Sequence, residues 1–465
     1  MTRGVLLLAA VVSLGGACAP VGPTYQRPTA PAPSAWSTPE PWRPGDPKDT
    51  IPKGSWWTIF RDDELNTLEL TSLAGSQTLK VAAAQYEQAR ALTALTLSSV
   101  YPHIAISGQA QSQRLSATRA GGGPATIQNS FMLPLTVSYE VDLFGKRLRS
   151  IEASQATLAA SRAATENVRL VVTAELASDF FTLRQLDTEL GILTRTLDSL
   201  DKALQVVRAR HDGGIASGLD VAQEETLLAS TRTEATLVHQ QRDQFEHAIA
   251  VLAGQPPQGF HLPSHDLAST PPAIDTGLPT DLLERRPDVA EAERQMAAAN
   301  AQIGVARAAY FPSLNLFADG GWQSGNFLKL FNVPSMIWAV GATVAEDVFT
   351  GGARQAQSQF AVAGYDASVA SYRQTVLQAL AEVEDDLAGL RVLNDAQTTQ
   401  TQAVEAAARA LDIATTRYSG GLANSLDVVS AQQTLLSTER LASQLQGERL
   451  VTTVLLVKAL GGGWK

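Results

Sequence analysis

Two groups of closely spaced carboxylates are the residues of this sequence with the clearest capacity for chemistry. Glu382, Asp385 and Asp386 lie at positions i, i+3 and i+4, and Glu175 and Asp179 lie at i and i+4 in the first half of the chain. On a helix, residues at these spacings are neighbours on one face. Each group therefore forms either a solvated acidic face or a face that attracts cations.

The remaining candidates for catalysis or metal binding lack suitable partners. His239 and His247 have no partner at the i, i+4 spacing of helical zinc sites, and His261 and His265 lie in a Pro-rich loop without matched carboxylates. The sequence contains no G-x-S-x-G, and its GGG runs lack the strand-to-helix setting of a phosphate loop. We therefore expect no catalytic residue, no metal and no cofactor.

The N-terminal residues predict export from the cytoplasm. Residues 1–17 combine Arg3, an apolar run and small residues before Cys18, which is the pattern of a secretory signal peptide. Cys18 is the only cysteine, and its position predicts lipid attachment at a processed N-terminus. Cleavage that leaves a free thiol is the alternative. Residues 18–64 begin with a Pro-rich stretch, which predicts a lipidated, extended strap.

Charge and hydropathy narrow the class of protein further. The formal net charge is −10, and the 36 Lys and Arg residues form no basic run, so we expect no nucleic-acid partner. After the leader, no run of about 18 apolar residues occurs, so no transmembrane helix is predicted. Any crossing of a membrane would have to use β-strands.

A repeated phrase divides the chain into two similar halves. HDGGIASGLDV begins at His211, and YSGGLANSLDV begins at Tyr418, which is 207 positions later. Such self-similarity is the signature of an internal repeat. We predict a first repeat at residues 65–260, a linker at 261–279 and a second repeat at 280–465.

Each repeat is predicted to contain a β-hairpin, at residues 101–142 and 311–347. From Phe131 to Val141 every second residue is apolar, which is typical of a strand with one apolar face. The four predicted strands are about ten residues long, the length of a tilted membrane strand. Four strands cannot close a barrel, and open edges are costly in lipid, so other copies of the chain would have to complete the sheet. Two soluble hairpins packed on helices are the alternative.

Long helices rich in Ala, Gln and Leu are predicted to follow each hairpin. The sequences FFTLRQLDTEL and LAGLRVLNDAQ match at the same spacing of 207 residues. We predict tight helix-to-helix reversals there, at residues 183–187 and 390–394, each exposing an apolar and basic point. Such a reversal either contacts a partner or is structural only. The glycines near Gly213 and Gly420 are predicted to interrupt and restart the returning helices.

Five segments give the chain a family resemblance. They are VGPTYQRP after Cys18, WWTIFRDDELNTLEL, LLERRPDVAEAERQMAAANAQIGVARAAYFPSL, the repeated GGxxxxLDV phrase and the terminal KALGGGW. On the basis of these segments, the mature chain resembles the TolC-type outer-membrane efflux channels, specifically their lipoprotein branch. The resemblance implies a mainly α-helical fold with transmembrane β-strands. It also implies a homotrimer, in which a twelve-stranded outer-membrane β-barrel continues as a periplasmic α-helical barrel.

Partners and a function are implied by the same resemblance. The partners are a periplasmic membrane-fusion adaptor, an inner-membrane pump of the resistance-nodulation-division type, and outer-membrane lipid. The chain would be a gated exit duct that passively conducts small molecules from the periplasm to the exterior. The exit duct of a type I protein secretion system and a soluble periplasmic coiled-coil scaffold are the alternatives.

The resemblance assigns roles to two sets of residues. The family has an aspartate constriction at the periplasmic end of the second repeat's helices, and Asp385 and Asp386 match it, with Glu382, Glu175 and Asp179 as further gate residues. The predicted adaptor contacts are the apolar and basic residues of the two predicted reversals: Leu183, Arg184, Leu186, Leu390, Arg391 and Leu393.

Overall fold

The computed structural model describes residues 20–26, 54–121, 123–272, 274 and 285–462. Its contacts divide the chain into two units. The first unit comprises Met1–Thr29, Tyr86–Ser161 and Ala292–Tyr372, and the second comprises Ala30–Gln85, Arg162–Glu291 and Arg373–Lys465. Cys18, the predicted signal peptide and most of the predicted strap lie outside the described residues.

One antiparallel sheet lies in the first unit. Its strands are β1 (His103–Ile106), β2 (Gln109–Leu115), β3 (Thr126–Val141), β4 (Ser313–Ser324) and β5 (Met336–Ala345). Both β1 and β2 pair with β3, β3 pairs with β4, and β4 pairs with β5. Because β1 and β2 occupy successive parts of one edge, the sheet has four strand positions, two from each predicted hairpin.

The interruption between β1 and β2 has a cause in the neighbouring strand. Ile106 pairs with Leu135 and Gln109 pairs with Met132, so the gap lies opposite Pro134 and the residue before it. Proline has no N–H group to donate to a ladder of hydrogen bonds. The edge strand therefore breaks where its partner cannot complete the pairing.

Seven helices are present in the described residues. They are α1 (Asp63–Gly75), α2 (Gln77–Ser98), α3 (Lys146–Asp212), α4 (Gly218–Leu252), α5 (Pro287–Ala308), α6 (Ala353–Ser419) and α7 (Ser425–Ala459). Helices α3 and α6 each contain 67 residues, and α4 and α7 each contain 35. Within the described ranges, none of the helices has the length and apolar character needed to cross a membrane.

The first helical hairpin reverses at the glycine-containing phrase. α3 ends at Asp212 and α4 begins at Gly218. Arg208 forms an ion pair with Glu225 at 2.6 Å across this turn, so the two helices run antiparallel. Gly214 has φ of +73°, a left-handed conformation that favours glycine.

The second hairpin reverses at the equivalent place, between Ser419 and Ser425. Gln400 Nε2 donates to the carbonyl oxygen of Thr438 at 2.8 Å, which again joins antiparallel helices. Gly421 has φ of +71°, as Gly214 does in the first half. The predicted reversals at 183–187 and 390–394 are wrong, because α3 and α6 are continuous through both segments.

The second unit has an apolar core around a 3₁₀ turn at Trp56–Phe60. Trp57 and Phe60 are buried, and the ring centroids of Phe60 and Phe181 are 4.8 Å apart. The indole nitrogen of Trp56 donates to Thr173 Oγ1 at 3.1 Å. Buried residues of α1, α3, α4, α6 and α7, and of the segment after α4, complete the cluster. Full burial of each large apolar side chain contributes about 1.5–3 kcal/mol, so this cluster positions the middle of the long helices.

Residues 20–26 of the predicted strap are held in the first unit through their backbone. The guanidinium of Arg149 donates to the carbonyl oxygens of Val21 and Gly22 at 3.4 and 3.3 Å. A Cβ atom on Gly22 would lie 2.6 Å from the Cα atom of Gly304, so two glycines permit this close approach. Residues 54–64 contain the 3₁₀ turn and the first residues of α1, so the prediction of an extended strap is wrong there.

Candidate functional site

The predicted gate residues of the second repeat form an acidic face on α6. Glu382 and Asp385 are exposed, and Asp386 is half-buried. Burial, followed by repulsion from Glu382 and Asp385, raises the pKa of Asp386 to about 7, and Lys458 and Arg286 oppose that rise. Asp386 therefore gains or loses its proton near neutral pH.

Arg286 connects the acidic face to the beginning of α5. Its guanidinium donates to Glu382 Oε2 at 2.7 Å and to the two carboxylate oxygens of Asp288 at 3.0 and 2.6 Å. It also donates to the carbonyl oxygen of Ala459 at 3.0 Å, at the end of α7. A planar guanidinium can satisfy several acceptors in fixed directions. The RRPD sequence is therefore a structural connection between three helices.

The first repeat carries a smaller version of the same face on α3. Glu175 is exposed and Asp179 is half-buried. Burial, followed by repulsion from Glu175, raises the pKa of Asp179 to about 6. Asp179 and Asp386 each precede the end of their helix by roughly 50 Å of helical rise. The expectation that these acidic residues lie near a helix reversal is therefore wrong.

A buried polar network occupies the segment predicted as the first reversal. Asp187 accepts hydrogen bonds from Arg184 Nη1 at 2.6 Å and from Arg242 Nε at 2.8 Å. Ser264 Oγ donates to the same carboxylate at 2.9 Å, and Arg184 Nη2 lies 2.5 Å from Glu64 Oε2. Asp187 thus links the middle of α3 to α4 and to the loop after α4.

The second repeat has a related contact. Asn394 Oδ1 accepts from Arg449 Nε at 2.8 Å, and both residues lie 207 positions after Asp187 and Arg242. This contact is exposed, whereas the side chain of Asp187 is 0% exposed. The repeated L-R-x-L-D/N sequence is therefore explained by a contact between helices, not by a turn.

This arrangement corrects the predicted adaptor contacts. Leu183, Arg184 and Leu186 are buried inside the second unit, so they do not form an exposed tip. Leu390 and Leu393 are half-buried and Arg391 is exposed, in the middle of α6. That Leu390, Arg391 and Leu393 contact the adaptor stays a prediction, although the turn from which it was argued is not formed.

The two true turns are joined to each other by polar contacts. The Arg210 guanidinium lies over the Tyr418 ring at 4.5 Å and donates to the carbonyl oxygens of Tyr418 and Ser419 at 3.3 and 3.4 Å. Ser425 Oγ donates to Asp220 Oδ1. That hydrogen bond, followed by one from the backbone of Ser217, lowers the pKa of Asp220, which keeps its carboxylate ionised.

Exposed apolar side chains lie at these turns and were missed by the sequence analysis. Ile215 and Leu219 are 79% and 67% exposed, and Leu422 and Leu426 are 75% and 48% exposed. A usable signal was present, because Ser217 with Asp220 three residues later has the spacing of a capping box at a helix start, and that box is formed. Grouped exposed apolar residues usually mark an interaction surface.

The histidines do not assemble into a metal site in the described part of the chain. His261 and His265 each face one carboxylate, Glu246 at 3.1 Å and Glu64 at 3.2 Å. The described residues contain no group of three or more His, Cys, Asp or Glu side chains able to hold an ion.

Comparison with known proteins identifies the family. The outer membrane efflux protein family matches residues 71–255 and again 278–462, so each half of the chain matches it separately. The chain belongs to the outer membrane efflux protein family. Its curated relatives are outer-membrane components of efflux and export systems.

Relatives of this efflux protein cover nearly the whole chain. The pyoverdine export outer membrane protein OpmQ of Pseudomonas aeruginosa is 33% identical, over 98% of this chain and 97% of its own length. The toluene efflux pump outer membrane protein TtgF of Pseudomonas putida is 33% identical, over 99% and 96%. The structure of the outer-membrane channel OprN superposes with a TM-score of 0.88 at 29% identity, over 96% of this chain and 99% of that one.

Proposed function

We propose that this protein is the outer-membrane exit duct of a tripartite efflux pump. Small molecules pass passively from the periplasm to the exterior through a gated homotrimer. A periplasmic adaptor connects the trimer to an inner-membrane pump of the resistance-nodulation-division type, which supplies the energy. The names of OpmQ and TtgF, with their export and efflux roles, support an efflux function without specifying the cargo of this chain.

The open sheet of the first unit is the main observation that supports a trimer. Among the described strands, β5 pairs only with β4, and β1 and β2 pair only with β3. Each edge therefore presents unpaired N–H and C=O groups, and such groups cost several kcal/mol each in lipid. Three copies, each supplying four strand positions, pair β5 of one copy with β1 and β2 of the next. The result is a closed twelve-stranded barrel.

Disulfide cross-linking between edges tests this assembly. Thr343→Cys in β5 is combined in turn with His103→Cys, Ile104→Cys and Ala105→Cys in β1, and Cys18 is retained because the proposed lipid anchors the chain and occupies that thiol. At least one pair should give covalent dimers and trimers on denaturing gels. As the control, Asn315→Cys in the interior strand β4, combined with the same three variants, should give none. A pattern without trimers, or equal cross-linking from β4, would contradict the proposal.

The duct is closed at the two turns, which the Arg210 contacts and the Asp220–Ser425 hydrogen bond hold together. Opening separates the two helical hairpins, because their ends are joined by these few polar contacts. The acidic face with Asp385 and Asp386 lines the passage farther along α6, and Glu382, Glu175 and Asp179 contribute charge. Three copies would produce rings of carboxylates that attract cations.

The adaptor binds at the turns. The support is the grouping of Ile215, Leu219, Leu422 and Leu426, which are exposed in this chain and lie at the ends of both hairpins. A lipid at Cys18 holds the chain in the outer membrane. Support for that anchor is indirect: residues 20–26 are held in the unit that contains the sheet.

A further inference from the structure

A cavity of about 390 Å³ lies between the helices next to the two turns. Its walls are largely apolar, with Val207 from α3, Leu411 from α6 and Val428 from α7. The volume falls within the range of about 300–1,000 Å³ that is usual for small-molecule sites. The cavity lies entirely within the second unit.

Two residues that line this cavity carry buried oxygen atoms that have no hydrogen-bond partner. The atoms are Glu224 Oε2 on α4 and Gln432 Oε1 on α7, and the residues are 1% and 8% exposed. A buried polar atom that lacks a partner costs about 1–3 kcal/mol. Both atoms are hydrogen-bond acceptors, so the group that would satisfy them is a donor.

The cations that line the cavity do not supply this donor. Lys202 Nζ bonds Asp198 Oδ2 at 2.6 Å, and the guanidinium of Arg210 is engaged with Tyr418 and Ser419. Burial alone raises the pKa of Glu224, with no contribution from either cation. The carboxyl group therefore lacks a charged neighbour of its own.

The internal repeat does not account for these polar residues. The position equivalent to Glu224 in the second half is Ala431, and the position equivalent to Gln432 in the first half is Glu225. Glu225 is exposed and paired with Arg208. The second helical hairpin forms with Ala431 at the position of Glu224. A buried carboxylate is therefore not required to build this type of hairpin.

We propose that this cavity binds a primary organic amine, with the ammonium group held by Glu224 and Gln432 and an apolar body against Val207, Leu411 and Val428. An ammonium carries three N–H donors and no acceptor, which matches two unsatisfied oxygens. A buried carboxylate is costly unless an opposite charge is paired with it, and the ammonium group would supply that charge to Glu224. Binding at this cavity does not depend on whether the chain conducts solutes.

Binding of 2-phenylethylammonium to the full-length protein in lipid nanodiscs, measured by equilibrium dialysis at pH 8, tests the site. The amine should bind at least tenfold more tightly than 2-phenylethanol, which has a similar apolar body but no charge. Glu224→Gln should weaken amine binding at least tenfold. Glu225→Gln, which removes the same charge from the adjacent exposed position, should leave it within twofold.

A second variant keeps the test decisive if Glu224→Gln does not fold. Ala203→Phe places a ring in the cavity while retaining Glu224, and it should abolish binding of the amine and the alcohol alike. The proposal is overturned if the wild type does not bind the amine at millimolar concentration, or if the amine and the alcohol bind equally. Equal losses in Glu224→Gln and Glu225→Gln would overturn it too, since they would indicate only surface attraction.

Discussion

Individual charged residues in this protein differ mainly in how completely they are buried and paired. Asp187 is fully buried and bonded to two arginines and a serine, whereas its counterpart Asn394 has one exposed partner. Glu69 on α1 is buried without any partner for either oxygen. The same kinds of side chain therefore stabilise the fold at one position and destabilise it at another.

Removing the Asp187 carboxylate should destabilise the second unit strongly. Asp187→Ala leaves Arg184 and Arg242 buried without their shared acceptor, and such a loss costs about 3–5 kcal/mol. Asn394→Ala is the matched control in the other half, where an exposed contact should cost under about 1 kcal/mol. Denaturant unfolding of both variants, followed by helical circular dichroism, measures the difference. Equal losses would show that Asp187 is no more important than its counterpart.

Glu69 should make the protein less stable as pH rises. Burial raises its pKa from 4.5 to about 9, so the folded protein keeps a proton that the unfolded chain releases above about pH 4.5. The free energy of unfolding therefore falls between these values, by about 3 kcal/mol from pH 4.5 to pH 7 from this group. Glu69→Leu should remove much of the decline in melting temperature between pH 5 and pH 8. Glu87→Gln, at an exposed position, should retain the wild-type decline.

Secondary-structure elements were more predictable from the sequence than the places where they reverse. The strands follow the apolar alternation, and the 207-residue repeat predicted paired long helices. The reversal was misplaced because an Asp after a Leu in a helix has the same local sequence at a turn and at a buried ion pair. The partner that distinguishes them, Arg242, is 55 residues away from Asp187 along the chain.

The acidic face shows the same limit. Its residues share a helical face, as their spacing predicts, yet spacing carries no information about distance from the turn. Burial by the folded chain is the largest cause of the raised pKa of Asp386, and Lys458 and Arg286, which come from other elements, oppose that rise. Such long-range neighbours are visible only after folding.

The exposed leucines at the turns should be required for export and not for assembly. Leu219→Ser with Leu422→Ser removes apolar surface from both turns, so adaptor binding should fall while the fold persists. Susceptibility of a deletion strain carrying this variant should match that of the empty vector, with normal trimer on native gels. Leu237→Ser with Leu441→Ser changes exposed leucines of α4 and α7 away from the turns and should retain export. Full export by the turn variant would contradict an adaptor site there.

In the proposed trimer, charge on the acidic face acts at the scale of the whole assembly, because each residue is present once per copy. Asp385→Ala with Asp386→Ala should lower the single-channel conductance for cations in planar bilayers and weaken cation selectivity, because the carboxylates that attract cations are lost. In the wild type, selectivity should also weaken as pH falls through about 7, where Asp386 gains a proton while Glu382, Asp385, Lys458 and Arg286 surround it. Asp395→Ala with Asp412→Ala, an equal charge change on exposed parts of α6, should alter neither property. Unchanged conductance and selectivity in the first variant would show that the acidic face does not line the passage.

Because the edges of the sheet are open, completion of the sheet depends on protein concentration, whereas folding of the helices does not. The helical hairpins are joined by contacts within one chain, so each can form at any dilution. In the proposed trimer the edges β1, β2 and β5 find their partners only by meeting other copies, and an unpaired edge is also a template for incorrect pairing. Mass action therefore couples the stability of the sheet to the amount of protein reaching the membrane, and low expression should favour chains with folded helices and incomplete strands.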